Sequence, residues 1–448
     1  MNFSKRSEMP VSAEELFAWH ERPGAFDRLN PPFDPVEVIE RSGGLQVGAK
    51  TVLRMHIGPV PQSWSAVHTA YEPGVMFRDE QQGGPFRKWE HTHRTEALSA
   101  QRSALEDSID YELPMGALGA VFGGGFARHK LESVFAYRHA VTRADLERHA
   151  AFASKPRLTI AITGASGSIG SALTPFLTTG GHTVRAVKRE GAKLDFSVLE
   201  GADAVIHLAG AGVADQNWSE ARKKELVESR TLITAELARA IGQMKKPPRV
   251  LLSGSAVGIY GDRHDEVLSE ASPVGVRSER GAGFLAGLCQ DWEAAAQPVT
   301  AVGTRLVLLR TGVVLTPRGG ALAKLLTPFK AGVGGPTGSG KQWMSWVGME
   351  DMIGAINHAL FTDSVSGPVN LVAPNPVTSS DFAKTLGRVL ARPAIAPIPA
   401  FALKAMFGEM AEGTVLAGQR ATPAALHASG FSFLHETLEP LLRFTLGR

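Results

Sequence analysis

The pattern of apolar and polar positions changes once along the chain. From Val36 to Pro114, short alternating runs follow one another: "KTVLRMHI", "SWSAVHTAY", "VMFRDEQ", "FRKWEHTHRTEA" and "SALEDSIDYEL". Period-two alternation sets one face of each run against a core, and turns such as "EPG" and "QGGP" join some of them. The pattern predicts an antiparallel meander. "GALGAVFGGGFARHKLESVFAYRHAVTRADLERHAAF" then takes helical spacing, interrupted by the glycine run at 123–125. A curved sheet and one long helix must cover each other, and such a sheet often encloses an apolar cavity.

Beyond "FASKPR" (152–157), continuous apolar runs alternate with helical ones. "RLTIAIT", "HTVRAVK", "DAVIHLAG", "RVLLSGS" and "TRLVLLRTGVVL" read as strands. Helices start at Ile169 and run through "WSEARKKELVESRTLITAELARAI". Buried strands separated by helices predict a doubly wound parallel sheet. Past Asn370 the pattern is helical and broken by prolines, which predicts a small cap over the sheet's carboxyl edge.

Composition narrows this little. A chain of 448 residues exceeds one core, while 44% apolar and 20% charged residues are those of a globular protein. A net charge of +3, evenly spread, gives no nucleic-acid footprint. The single cysteine, Cys289, rules out an internal disulfide and favours a reducing compartment. The first 20 residues lack an apolar signal region, and no apolar run approaches the roughly 20 residues of a spanning helix. The expectation is a soluble cytoplasmic protein with no membrane span; homo-oligomerisation is left open.

The chemistry starts at "TIAITGASGSIGSALTPFL". Gly164, Gly167 and Gly170 stand in GxxGxxG spacing directly after a strand and at the opening of a helix. Glycines there permit a tight turn and close backbone approach, so a pyrophosphate can rest on the helix N-terminus. With Ser166, Ser168 and Ile169 they form the expected dinucleotide cradle. Cofactor choice is read at the end of the second strand, where an acid would hold a ribose 2′-hydroxyl. This chain has Lys188 and Arg189, which suit a 2′-phosphate and favour NADP(H); the alternative is a solvated surface pair. Asp195 is a candidate partner for the adenine amino group, and Leu208, Ala209 and Gly210 form a small-residue loop after the next strand. The expected domains are a ligand-binding α+β domain over 1–151, a linker over 152–157, a Rossmann-type domain over 158–369 and a helical subdomain over 370–448.

Two other patterns invite stronger readings than they support. Gly335 to Lys341 fits the GxxxxGK of a phosphate-binding loop, yet Gln342 follows where Ser or Thr would hold magnesium, and the flanks are not a buried strand and a helix. The stretch reads as a flexible loop over a cleft, with Lys341 near a phosphate or acid. His91 and His93 share one strand face, and His68 lies on another strand. Without a third ligand in view they read as a polar face or pocket lining, and no metal is expected. Trp64 and Trp89 read as core or cavity wall.

"GPFRKWEHTHR" and "DSIDYELPMGALG" resemble the helix-grip ligand-binding superfamily, START-like and polyketide-cyclase-like. "TGASGSIG", "HLAGAGVADQNWSEARKKELVESR", "LLSGSAVGIYGD", "GFLAGLCQDWEAAA", "GSGKQWMSWVGMEDM" and "FGEMAEGTVLAGQRATPAALHASGFSF" resemble the epimerase-like branch of the extended short-chain dehydrogenases/reductases that carries DUF1731. They span nearly all of 158–445. Ser168 departs from the family where an aromatic is common, and Gly348 where His is frequent. The resemblance implies a Tyr near the nicotinamide and a Lys four residues on. In "GAGFLAGLCQDWEAAA" the available frames pair Leu285 with Cys289, or Phe284 with Leu288. Of four tyrosines only Tyr260 lies past the linker, followed four residues later by His264. The dyad is absent. Ser255, at a strand end, and Tyr260, given a nearby cation, remain as catalytic candidates, beside Ser253 and Asp262; a strand end with serines capping the backbone is the plainer alternative. The expected function is an NADP(H)-dependent oxidoreductase or epimerase-like enzyme acting on a small-molecule substrate, with an apolar ligand in the first domain. The rival is a nucleotide-sensing, ligand-binding protein without turnover.

Overall fold

The computed structural model describes residues 1–57, 60–190 and 193–448. The chain divides into two compact units, and the division along the chain falls between Ser154 and Lys155.

In the first unit the five predicted runs are strands, at Lys50–Ile57, Val60–Glu72, Met76–Gly83, Lys88–Ser99 and Arg102–Glu112. They form a seven-stranded antiparallel sheet with Glu37–Ser42 at one edge and Asn2–Met9 at the other. The Asn2–Met9 strand pairs with the last strand, Asn2 opposite Asp110 and Met9 opposite Ser103. One sheet face carries Trp89, Ile109 and Tyr111, packed on Leu131, Val134 and Phe135 of the helix Ala117–Ala150. That helix runs unbroken for 34 residues, where an interruption at Gly123–Gly125 was expected. Glycine weakens a helix by roughly 1 kcal/mol per residue without removing its hydrogen bonds, and tertiary packing overrides the preference.

The second unit is built on six parallel strands. Thr159–Thr163 lies next to one edge, between the edge strand Thr183–Val187 and Ala204–His207; Val250–Ala256, Arg305–Thr311 and Gly367–Leu371 follow in turn to the other edge. All four residues of Ala204–His207 are buried, as befits a strand covered on both faces. The chain winds one way from Thr159–Thr163 and returns to wind the other, which places a topological switch point between Thr159–Thr163 and Ala204–His207. Past Asn370 come the helices Ser379–Leu390, Ala400–Phe407 and Leu438–Leu446, with shorter ones between. Among the described residues no helix is long and apolar enough to cross a membrane.

Candidate functional site

The glycine turn sits at this switch point. Gly164 follows the strand Thr159–Thr163 directly with φ +73°, and a Cβ there would lie 2.8 Å from the backbone carbon of Leu208 and 2.9 Å from the nitrogen of Ala209. Two loops from neighbouring strands therefore meet with no room for a side chain. Gly170 opens the helix Gly170–Thr179, and its Cβ would fall 2.2 Å from the Gly164 carbonyl oxygen. Gly167 closes the turn by donating its N–H to that same oxygen at 3.0 Å. Ser166, Gly167 and Ser168 are exposed on top of the turn, and Ile169 is half-buried. The result is a backbone cradle at a helix N-terminus, where the first N–H groups have no partner inside the helix.

Leu208, Ala209 and Gly210 form the opposite rim, and a residue the sequence reading passed over anchors them. His207 is fully buried, 2.6 Å by Nδ1 from the Thr163 hydroxyl and 2.9 Å by Nε2 from that of Thr234. Burial lowers its pKa to about 4, so the ring is neutral at pH 7. A neutral ring accepts from Thr163 and donates to Thr234, and Thr163 Oγ1 accepts from the Ala209 N–H at 3.3 Å. The rim is thereby tied to the strand Thr159–Thr163. Lys188 and Arg189 follow Thr183–Val187 and are exposed, with no side-chain hydrogen bond or ion pair among the described residues. Asp195 already has work: its Oδ1 accepts from the Ser197 N–H at 2.9 Å and caps the turn Phe196–Leu199, and those contacts hold its carboxyl below the usual range.

The helix Gly281–Ala296 presents Leu285 and Cys289 to the interior, both buried, where the resemblance implied Tyr and Lys. Burial pushes the Cys289 thiol up to about 12, which makes it a small apolar residue. One turn further, Glu293 meets a network spread over three adjacent strands. Ser255, Arg310 and Asn370 stand directly opposite one another in register. Arg310 donates to Glu293 through Nε (2.8 Å) and Nη2 (3.0 Å), and Ser255 Oγ donates to Glu293 at 2.7 Å. Tyr260 donates to Asn370 Oδ1 at 2.8 Å and accepts from Arg310 Nη1 at 3.1 Å.

This places the two catalytic candidates differently from the expectation. The cation required beside Tyr260 is present as Arg310. Yet the ring is wholly buried, its one proton is given to Asn370, and desolvation raises its pKa in spite of Arg310. Tyr260 is a link in a buried network rather than an open acid. Ser255 is also buried, with its proton toward a carboxylate. Ser253 Oγ is buried without a hydrogen-bond partner, and Asp262 accepts from the Gly418 N–H. The phosphate-loop look-alike is a pinned turn rather than a flexible loop: Gln342 Nε2 donates to the carbonyls of Thr337 and Val415, and Lys341 points to solvent.

The first unit holds a second candidate site. A cavity of about 480 Å³ lies between sheet and helix, walled by Trp64, Phe86, Trp89, Phe126 and Phe135, with Arg138 at its border. Its size is that of a pocket for a small organic molecule.

Residues 160–371 match the NAD dependent epimerase/dehydratase family, residues 9–134 polyketide cyclase/dehydrase and lipid transport, and residues 398–445 the domain of unknown function DUF1731. An epimerase family protein of Mycobacterium bovis is 41% identical over 302 residues, 64% of this chain and 98% of the relative. Human epimerase family protein SDR39U1 is 35% identical over 293 residues, 63% and 98%. The crystal structure of the latter's isoform 2 with NADPH aligns with TM-score 0.60 at 34% identity, over 64% of this chain and 99% of that one. A nucleoside-diphosphate sugar epimerase from Corynebacterium glutamicum aligns with TM-score 0.80 at 31% identity, covering 99% of this chain and 90% of its own. With the glycine cradle at the switch point of a parallel sheet, and relatives matched over nearly their whole length, this chain belongs to the epimerase family proteins of the extended short-chain dehydrogenase/reductase fold, with a polyketide-cyclase-like domain ahead of it.

Proposed function

We propose that this chain is an NADP(H)-dependent, epimerase-like oxidoreductase of a small organic substrate that works without the Tyr and Lys dyad. The carrying observation is the cradle: Gly164 and Gly170 leave no space for a Cβ, while two exposed cations without a side-chain partner among the described residues, Lys188 and Arg189, follow the second strand. The NADPH bound to human SDR39U1 supports the same reading. The test is a parallel fluorescence titration with NADPH and NADH. NADPH is expected to bind more tightly, and Lys188→Glu with Arg189→Glu is expected to cut that preference roughly tenfold or more, since both contacts would be charge-assisted. An unchanged ratio would mean that those cations read nothing.

When bound, NADP(H) supplies or accepts a hydride. The chain must move the accompanying proton, and we assign that to Ser255, whose hydroxyl faces Glu293 at 2.7 Å. A substrate hydroxyl would pass its proton to Ser255 Oγ as Ser255 passes its own to Glu293; Tyr260 positions Arg310. Ser255→Ala is then expected to lower turnover by roughly 10²–10⁴-fold with NADPH affinity retained. Equal turnover in that variant would remove Ser255 from the mechanism. The apolar Leu285 and Cys289 face favours a second reading, a nucleotide sensor whose first unit holds an apolar ligand. NADPH binding with no hydride transfer to any carbonyl tested would favour it.

A further inference from the structure

The geometry points to a divalent metal site in the first unit, independent of the nucleotide site, with Asp79, His91 and His93 as ligands. The register builds it. Asp79 on Met76–Gly83 stands directly opposite His91 on Lys88–Ser99, and His93 stands directly opposite Asp107 on Arg102–Glu112. Paired positions share a face, and His91 and His93 are two residues apart, so all four side chains project from the same side of the sheet. His91, His93 and Asp107 are buried. One donor atom from each of Asp79, His91 and His93 lies within 4.8 Å of the others.

The two ring nitrogens of each histidine divide their partners in the same way. His91 places Nε2 2.9 Å from Asp107 Oδ1 and Nδ1 3.5 Å from Asp79 Oδ1. His93 places Nδ1 2.6 Å from Asp107 Oδ1 and Nε2 3.8 Å from Asp79 Oδ1. One nitrogen of each ring thus faces a shared carboxylate, and the other turns toward a second carboxylate and a cavity. For His91 the contact to Asp107 is a hydrogen bond, the arrangement that holds a metal-binding histidine: a carboxylate takes the N–H, fixes the tautomer and leaves the other nitrogen bare; the His93 contact to Asp107 is close without hydrogen-bond geometry. Asp107 is itself fixed from the helix, where His139 Nε2 lies 2.7 Å from its Oδ2.

The guanidinium of Arg138 borders the same cavity as the three ligands. Two imidazoles and a carboxylate suit Zn²⁺, Fe²⁺ or Co²⁺, and metal–ligand distances of about 2.0–2.2 Å require the donors to close by a few tenths of an ångström to an ångström.

The remaining coordination positions open onto a cavity of about 140 Å³ bordered by all three ligands and by His68. His68 stands opposite Asp79 on the next strand, and its buried Nδ1 has no hydrogen-bond partner. This smaller cavity shares Trp64, Trp89 and Arg138 with the large apolar one. A ligand in the large cavity that carries an oxygen donor can therefore reach the ion.

The test is to strip the full chain with a chelator and titrate it with Co²⁺, following visible absorption, and with Zn²⁺ by calorimetry. One saturable ion per chain is expected, with His93→Gln and Asp79→Asn each losing it while NADPH titration and circular dichroism stay as in wild type. Asp107→Asn should keep the stoichiometry and weaken affinity roughly 10–100-fold. Absence of saturable binding in the wild-type chain would overturn the assignment, as would undiminished binding in folded His93→Gln and His91→Gln variants; neither depends on any one variant folding.

Discussion

Alanine at Gly170 is expected to weaken NADPH binding by roughly ten- to a hundredfold, read as the dissociation constant in a fluorescence titration. The added Cβ would lie 2.2 Å from the Gly164 carbonyl oxygen and 2.7 Å from Ala165 Cα, so backbone rather than a yielding side chain must move. Overpacking of this kind costs about 1–3 kcal/mol, and 1.4 kcal/mol is tenfold in affinity. The displacement falls on the turn that would carry the pyrophosphate, so binding suffers more than folding. Gly167 supplies the internal comparison. Its Cβ would stand 3.2 Å from the same oxygen, a contact that a shift of a few tenths of an ångström relieves, and Gly167→Ala should bind almost normally. Equal affinity in both variants would mean that the turn does not cradle the cofactor.

The second large effect is on stability. Arg310→Ala or Glu293→Ala should each destabilise the second unit by about 3–5 kcal/mol, because removing one partner strands the other charge in a buried site. Both residues are buried, and their bidentate contact is the network's only charge pair among the described residues. A loss of that size is a large share of a typical domain stability of roughly 5–15 kcal/mol. The double variant Glu293→Leu with Arg310→Met should recover much of it, since an apolar pair of similar volume carries no desolvation penalty. Urea midpoints on the transition of this unit measure all three. Single variants within about 0.5 kcal/mol of wild type, as for surface positions, would mean that water reaches the pair.

Five strands in each unit and the glycine cradle were legible because each is local: alternation or a continuous apolar run, followed by turn residues. The strands Asn2–Met9, Glu37–Ser42 and Gly367–Leu371 were not, and the first shows why. Its outward positions are Asn, Ser, Arg and Glu, and its partner lies about a hundred residues on. The network around Tyr260 was hidden for a similar reason, since Ser255, Glu293, Arg310 and Asn370 come from four elements. A signal existed all the same. An arginine inside "RLVLLRTGVVL" demands a buried carboxylate, and Glu293 stands one helical turn beyond Cys289, on its inward face. Asp79 and Asp107 likewise carry no local signal in the sequence. Only register shows that they meet His91 and His93, so a metal was not expected from the sequence.

The pairing of the first strand with the last has a kinetic consequence. Every other neighbour in that sheet is adjacent in sequence and can zip hairpin by hairpin, whereas Asn2 must wait for Asp110. During synthesis, at about 5–20 residues per second, the strand Asn2–Met9 therefore spends several seconds with no edge to dock on. Closing that long loop is the slow, entropy-limited event for this unit. The strand's charged, alternating face keeps it a poor template for pairing with another nascent chain in the interval.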